Sequence, residues 1–382
     1  MNSNQFVSTT LGNIAQITMG QSPKGSSLNK IGEGVPFIQG NRTFGFLYPT
    51  IDTYTSSPVK NANRGDILFS VRAPVGDINI AQEDLCIGRG ICAIKSKTGE
   101  NGFLFYLLKN NVKRLISQAN GTVFTSVNRN DLESFEVTIP SSLDYRTRIS
   151  NILSTIDRKI ELNNQLNDYL EKLGQMIFDV YLDSCEKKIT LGNILDFGNG
   201  FAFKSGTYDD CGIYKILTIK NVQNGIVDCS SSNRVNSYPA KMKKYCRLNI
   251  GDVVLSLTGN VGRIGIVAEH NCLLNQRVAV LQPKNKTFLP GLYFLFRKES
   301  FQDTLIGIAK GTAQANLSPI ETLRLTVPYD KKSFVTTCSK LNYIFNLILK
   351  NRIEEIALNK LRDLLLPKLI SGEFNLSKNI DD

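Results

Sequence analysis

The sequence predicts an α+β protein: two duplicated mixed α/β domains separated by two long antiparallel helices, which form a coiled-coil spacer with pseudo-twofold symmetry. Three observations predict it. An apolar-periodic run extends from about Ile149 to Leu182, a second of the same rhythm extends from about Phe334 to Leu369, and the stretches before them carry the same motifs in the same order. The predicted organisation is a first domain at 1–144, a first spacer helix at 145–184, a second domain at 185–332, a second spacer helix at 333–374, and a frayed tail at 375–382.

In the first run Ile149, Leu153, Ile156, Ile160, Leu166, Leu170, Leu173, Ile177 and Val180 recur every three or four residues. That spacing lays one apolar stripe along a helix. The opposite face carries Asp157, Arg158, Lys159, Glu161, Asp168, Glu171 and Lys172, and Gly174 is the one weak point. A glycine costs roughly 1 kcal/mol against alanine in an exposed helix. A helix of ~33 residues is ~50 Å long. In the second run Leu341, Ile344, Ile348, Leu358, Leu361 and Leu365 repeat the pattern. Antiparallel pairing would bring the two middles together, so Asn163 and Asn351 are expected to meet in the seam and fix its register.

The halves align at a shift near 188. LGNI at Leu11 answers LGNI at Leu191, and Gly65-Asp66-Ile67-Leu68-Phe69-Ser70 answers Gly251-Asp252-Val253-Val254-Leu255-Ser256. Val75-Gly76 answers Val261-Gly262, Gly121-Thr122 answers Gly311-Thr312, and Ile139-Pro140 answers Val327-Pro328. So long a repeat duplicates whole domains and is no solenoid. Within each half, Ile67–Val71, Val253–Leu257, Gly90–Lys95 and Val278–Leu281 read as strands. Phe103–Gln118 and Leu289–Ile308 read as helices against the sheet.

Composition narrows the function. The 382 residues give room for two or more cores. The hydrophobic fraction is an ordinary 42%, no apolar stretch is long enough to span a membrane, and Met1–Thr10 is too polar for a signal peptide. A cytoplasmic protein is expected. The eight cysteines form no Cys-x-x-Cys pair and His270 is the single histidine, which disfavours zinc and most His-dependent catalysis. Net charge is +11 and sits on the globular halves. Residues 185–332 hold 20 Lys and Arg against 11 Asp and Glu, a net of +9, whereas 149–184 hold 3 against 6, a net of −3. A basic leucine zipper requires the reverse. Basic domains on an acidic spacer point to a polyanion, in the first place nucleic acid.

Motifs for chemistry are absent or wrong. GQSPKGSS at Gly20 has no lysine directly after its second glycine and no plain strand before it, so it reads as a turn. GNVGRIG at Gly259 lacks the dinucleotide spacing. Asp131, Glu133 and Glu136 read as the solvent face of a strand. No HExxH, GxSxG, adenosylmethionine loop or Asn/Asp-Pro-Pro-aromatic motif occurs.

Taken together, these features resemble the specificity subunit of type I restriction–modification systems over essentially the whole chain. The resemblance rests on the paired LGNI openings, the Gly-Asp-x-x-x-Ser strands, the Gly-Thr turns before Asn128 and Asn316, and the Ile/Val-Pro exits. It also rests on the helix ends Gln175-Met176-Ile177-Phe178-Asp179 and Leu366-Pro367-Lys368-Leu369-Ile370-Ser371-Gly372. One departure is that Asp144-Tyr145 and Lys332-Ser333 stand where the family often has Glu-Gln. The resemblance implies two target recognition domains, each reading one part of a split sequence in double-stranded DNA. The helices would set the interval and dock two methyltransferase subunits, with restriction subunits joining. The chain itself would be non-catalytic and without a cofactor or metal, S-adenosylmethionine and ATP being expected on the partners. Readers ~45–50 Å apart would sit roughly 13–15 base pairs apart at 3.4 Å each.

Base edges are read by Arg, Lys, Asn and Gln on loops or strands. The candidates are Gln39, Asn41, Arg42, Arg72, Arg89 and Thr125 in the first half, and Lys220, Asn221, Asn260, Arg263, Gln276, Arg277 and Gln314 in the second. Arg89 and Arg277 are expected at equivalent places, as are Arg72 and the Thr258–Asn260 loop. The bland alternative is that Asn41, Asn221 and Asn260 close turns. The Lys241–Lys244 run is expected to contact phosphate or face solvent. Two competing functions are a DNA-binding nuclease with its site in the loops and a scaffold assembled through the helices. The charge distribution speaks against the scaffold.

Overall fold

The computed structural model describes residues 6–119, 126–310 and 315–374. The chain forms two compact units. The first joins Met1–Leu162 to Ile356–Asp382, and the second is Asn163–Glu355. Each long helix therefore contributes one half to each core.

In the first unit a four-stranded antiparallel sheet runs in the order Ala15–Met19, Ile91–Ser96, Ile67–Ser70, Ile78–Ile80. A smaller sheet of short strands includes Val35–Ile38 parallel to Leu85–Ile87. Phe6–Thr10 pairs with Glu136–Pro140 and ties the start of the domain to its exit. The second unit repeats this plan. Leu195–Asn199, Val278–Pro283, Val253–Ser256 and Ile264–Ile266 pair in the corresponding order, Tyr214–Leu217 runs parallel to Cys272–Leu274, and Lys188–Thr190 pairs with Thr326–Pro328. The Gly-Asp strands are apolar at nearly every position and buried on both faces, as continuous apolar runs require.

The predicted long helices are present and longer than their periodicity indicated, at Leu143–Ser184 (42 residues) and Lys331–Ser371 (41 residues). They run antiparallel within each unit. In the first unit Asp157 meets Arg362 (3.0 Å) and the Tyr145 hydroxyl donates to the Phe374 carbonyl (2.8 Å). In the second unit the rings of Tyr181 and Phe334 lie 5.5 Å apart. The first core is closed by Tyr145, Ile149 and Leu153 from one helix and Leu366, Leu369 and Ile370 from the other. The second is closed by Phe178 and Tyr181 with Phe334, Leu341, Ile344 and Ile348.

Several expectations need correction. Asn351 does not meet Asn163. Its amide donates to Asn167 Oδ1 (2.8 Å), one turn further along, while Asn163 donates to Glu354 (2.9 Å). Both polar contacts lie among buried residues, so the seam is fixed by side chains that must be satisfied there. The single stripe of the first helix splits beyond Leu162. Leu170 and Phe178 face inward, whereas Leu166, Leu173 and Val180 are exposed. Leu361 of the second helix is exposed too. The Leu289–Ile308 helix is broken into Leu289–Arg297 and Glu299–Lys310. Asp131 and Glu133 lie on a short helix, Arg129–Glu133, leaving only Glu136 on a strand. Asp131 closes a capping box with Asn128, and Glu133 pairs with Arg129 (2.7 Å). A strand, Ala15–Met19, does precede Gly20, although only the three-residue turn Gly25–Ser27 follows it. The Gly121-Thr122 and Gly311-Thr312 turns and the 375–382 tail lie outside the described residues. Among the described residues no helix is long and apolar enough to cross a membrane.

Candidate nucleic-acid interface

Each unit builds the same surface from three pieces. The first is a four-residue turn between two strands. In the first unit the Ile91 N–H donates to the Gly88 carbonyl (3.0 Å), and in the second the Val278 N–H donates to the Asn275 carbonyl (3.2 Å). The second piece is the end of the opening strand. Gly20 and Gln21 donate to Ile91 and Ile87 (both 2.9 Å), as Gly200 and Phe201 donate to Val278 (3.1 Å) and Leu274 (2.9 Å). The approach demands glycine. A Cβ on Gly20 would lie 2.2 Å from the Gly88 carbonyl oxygen, and one on Gly200 would lie 1.9 Å from that of Asn275. The third piece is the loop after the Gly-Asp strand, where Arg72 bridges Ser126 and Thr258 bridges Asn316. Beyond each bridge stands a capped short helix, with Asn128 and Ser318 as the caps.

In the second unit these pieces enclose an open cleft of about 910 Å³. Gln276, Arg277, Thr258, Gly259, Asn199 and Asn316 line it. The cleft brings together two of the candidates, Gln276 and Arg277. Asn260 and Arg263 line an adjoining hollow that shares Gly259 and Ala315. Arg263 donates to Gln223 Oε1 (3.1 Å). Lys220 is exposed on the turn at Thr218–Asn221. Asn221 departs from its expected role. It is 2% exposed, its Oδ1 accepts from the backbone and hydroxyl of Thr218 (2.9 Å each), and its amide donates to the Asp228 carbonyl (2.9 Å). Every polar atom of that side chain is occupied in closing its turn, which leaves none for a base.

In the first unit Gln39, Ser22 and Arg89 lie together. The Ser22 hydroxyl donates to Gln39 Oε1 (2.8 Å) and accepts from the Arg89 N–H (3.2 Å). Asn41 donates to Asp77 Oδ2 (2.5 Å) and to the Pro74 carbonyl (3.3 Å), which ties it to the loop that carries the exposed Arg72. Arg42 stands apart in a surface ion pair with Asp52 (2.6 Å), whose carboxyl it holds below the usual range. Thr125 and Gln314 lie outside the described residues.

Arg89 and Arg277 are not equivalent. The paired turns place Arg89 opposite Gln276 and Gly90 opposite Arg277, because the shift is 187 here. The Arg72 pairing with the Thr258 loop holds. Sequence reasoning missed Ser22 and Asn199, and placed Thr258 only as part of its loop. Only the turn-like composition around Ser22 marked that stretch. The three lysines of the Lys241–Lys244 run are exposed, and Lys244 lines a separate hollow with Tyr245 and Arg247. Met242 is buried, and Lys241 Nζ lies 5.9 Å from the Phe201 ring centre, beside the bridge from Phe201 to Asn275. Among the described residues no group of three or more His, Cys, Asp or Glu stands together as a metal site.

Comparison with known proteins follows the same duplication. The profile of the type I restriction modification DNA specificity domain matches residues 4–172 and again residues 186–358. The protein named MjaX type I restriction enzyme specificity subunit, from Methanocaldococcus jannaschii, is 43% identical over 169 residues, 44% of this chain and 40% of that relative. The match thus spans less than half of the relative's length. The MjaIX specificity subunit of the same organism is 24% identical over an aligned length of 408, covering 96% of this chain and 92% of its own. Among solved structures, the S subunit of a type-I restriction-modification system from M. genitalium has a TM-score of 0.64 at 19% identity, over 97% of both chains. That likeness is one of fold. With both halves matched in turn, the chain belongs to the type I restriction modification DNA specificity domain family.

Proposed function

We propose that the chain is the DNA-addressing subunit of a type I restriction–modification complex. Each unit reads one half of a split double-stranded sequence with the rim of its turn-and-loop surface, and the long helices set the interval. The observation that carries this reading is the duplicated surface, built by the same three pieces in each unit and edged with Arg and Gln side chains. Fixed turns can hold such side chains toward base edges, while nearby lysines meet phosphates without reading sequence.

The partners are two methyltransferase subunits, joined by restriction subunits. Chemistry, S-adenosylmethionine and ATP belong to those partners, and the chain supplies address without catalysis in the cytoplasm, where the DNA is. An outer line of Leu162, Leu166, Tyr169, Leu173, Met176 and Val180 supports the docking role. These side chains lie at spacings of three and four residues on the first long helix, and all are exposed. So continuous an apolar line fits a partner helix packed along it.

The test is a map of adenine methylation in cells expressing the neighbouring methyltransferase with and without this chain. A split motif modified only when the chain is present is the expected result. The same methylation in its absence, or metal-dependent cleavage by the purified chain alone, contradicts the reading.

A further inference from the structure

Two non-glycine residues of the described chain hold a left-handed backbone, Asn271 at φ 61° and Arg277 at φ 73°. Asparagine visits that region readily and arginine does not. Arg277 is the third residue of the turn closed by Asn275 and Val278, a place where positive φ favours glycine or asparagine. In the first unit Gly90 stands at the corresponding place without a positive φ, so the strained conformation belongs to the second unit's turn. The turn cannot relax, because the Gln276 N–H donates to the Phe201 carbonyl (2.9 Å) and the Leu257 N–H donates to the Arg277 carbonyl (2.8 Å). The side chain is exposed at the edge of the cleft beside Thr258, Gly259 and Asn316. Among the described residues its guanidinium has no hydrogen-bond or ion-pair partner. A strained position thus carries an exposed side chain with no polar role in the fold.

We propose that Arg277 is the principal base reader of the second unit, forking onto O6 and N7 of a guanine in its half-site; this rests on the DNA-addressing reading above. A phosphate contact is the weaker assignment. The backbone of any nucleotide can be met by a mobile lysine, and Lys241, Lys243 and Lys244 are exposed in the same unit. A planar fork on a fixed turn matches the two acceptors that guanine alone places side by side in the major groove.

The experiment maps methylated sites for complexes carrying the wild-type chain, Arg277→Gly and Arg277→Lys, alongside the melting temperature of each purified chain. Arg277→Gly is expected to melt at the same temperature or higher, since glycine fits the turn. It should lose the requirement for one guanine in one half-site, with discrimination falling about 5- to 150-fold, while the other half-site stays intact. Arg277→Lys should keep the same guanine with weaker discrimination than arginine, since an ammonium reaches O6 and N7 without the planar fork. An unchanged motif with Arg277→Gly overturns the proposal. So does a uniform loss of methylation at every site with Arg277→Gly, which makes the residue a phosphate contact. A fall in melting temperature with the motif unchanged assigns it to the fold. If the wild-type complex modifies no split motif, the wider reading fails first and is told apart by that control.

Discussion

Asp66 and Asp252 show how a short motif acts at the residue scale. Both belong to an Asn-x-Gly-Asp turn, Asn63 to Asp66 and Asn249 to Asp252. Each carboxylate accepts the N–H of the turn's own asparagine (2.8 and 2.7 Å), and each glycine holds a positive φ, 86° and 91°. Burial pushes both carboxyls above the usual carboxylate range, against the pull of those N–H groups. A folded pKa above the unfolded one means that the contribution is full below the unfolded pKa and is lost as pH rises through the folded one. Asparagine keeps the accepting oxygen without the charge. Melting temperatures of Asp66→Asn and Asp252→Asn relative to wild type should therefore become more favourable from pH 3.5 to pH 7. A flat or opposite trend would show that burial does not dominate at these two carboxyls.

The Gly-Asp motifs were legible in the sequence because both copies carry them. The candidate readers were legible only in part. Gln276 and Arg277 fall together because they share one short turn. Asn221 was not distinguishable, since a buried turn-closing asparagine and an exposed one have the same neighbours in sequence. The pairing of Arg89 with Arg277 failed because the shift between repeats is not constant. It is 186 at the Gly-Asp strands, 187 at the turns and 188 at the strand exits, so a single offset misplaces a residue by one.

At the scale of elements, the long helices were the clearest signal, and their inner face was the least clear. Apolar residues three and four apart fill two neighbouring lines on the first helix, one inside and one outside. Periodicity alone cannot choose between lines so close together, and the inner line is disguised by Asn163, Asn167 and Gly174. Gly174 has a packing reason. A Cβ there would stand 2.1 Å from the tip of the Phe294 ring, which is itself buried. Gly174→Ala should therefore lower stability by ~1–3 kcal/mol, against the roughly 1 kcal/mol gain that helix propensity alone predicts. Denaturant midpoints of the two chains decide between them, and a more stable alanine variant would contradict the close packing.

The break at Lys298 was invisible for a different reason. No glycine or proline marks it, and tertiary contacts impose it. Phe301 folds back onto Phe296 (5.1 Å between ring centres), the Gln302 amide caps the Phe296 carbonyl (3.0 Å), and Lys298 reaches Asp179 (2.5 Å).

At the scale of the whole molecule, duplication was the feature the sequence carried best, because a repeat is detected by order and needs no knowledge of contacts. The proposed docking line was hidden inside that success, since its leucines were counted as seam. Tyr169→Asp with Met176→Asp places two charges on this exposed line. The variant should fold as before and still bind DNA weakly, but it should lose co-purification with the methyltransferase subunits. A complex that survives both charges would move docking elsewhere.

The division of labour between the units is tested most directly by mapping the methylated sequence of a complex whose chain carries Arg72→Ala and Arg89→Ala. Both residues are exposed on the first unit. One half of the split motif should relax by one or two positions, while the other half and the interval stay as in wild type. Loss of specificity in both halves together, or no change in either, would contradict the reading of two units that each address their own half-site.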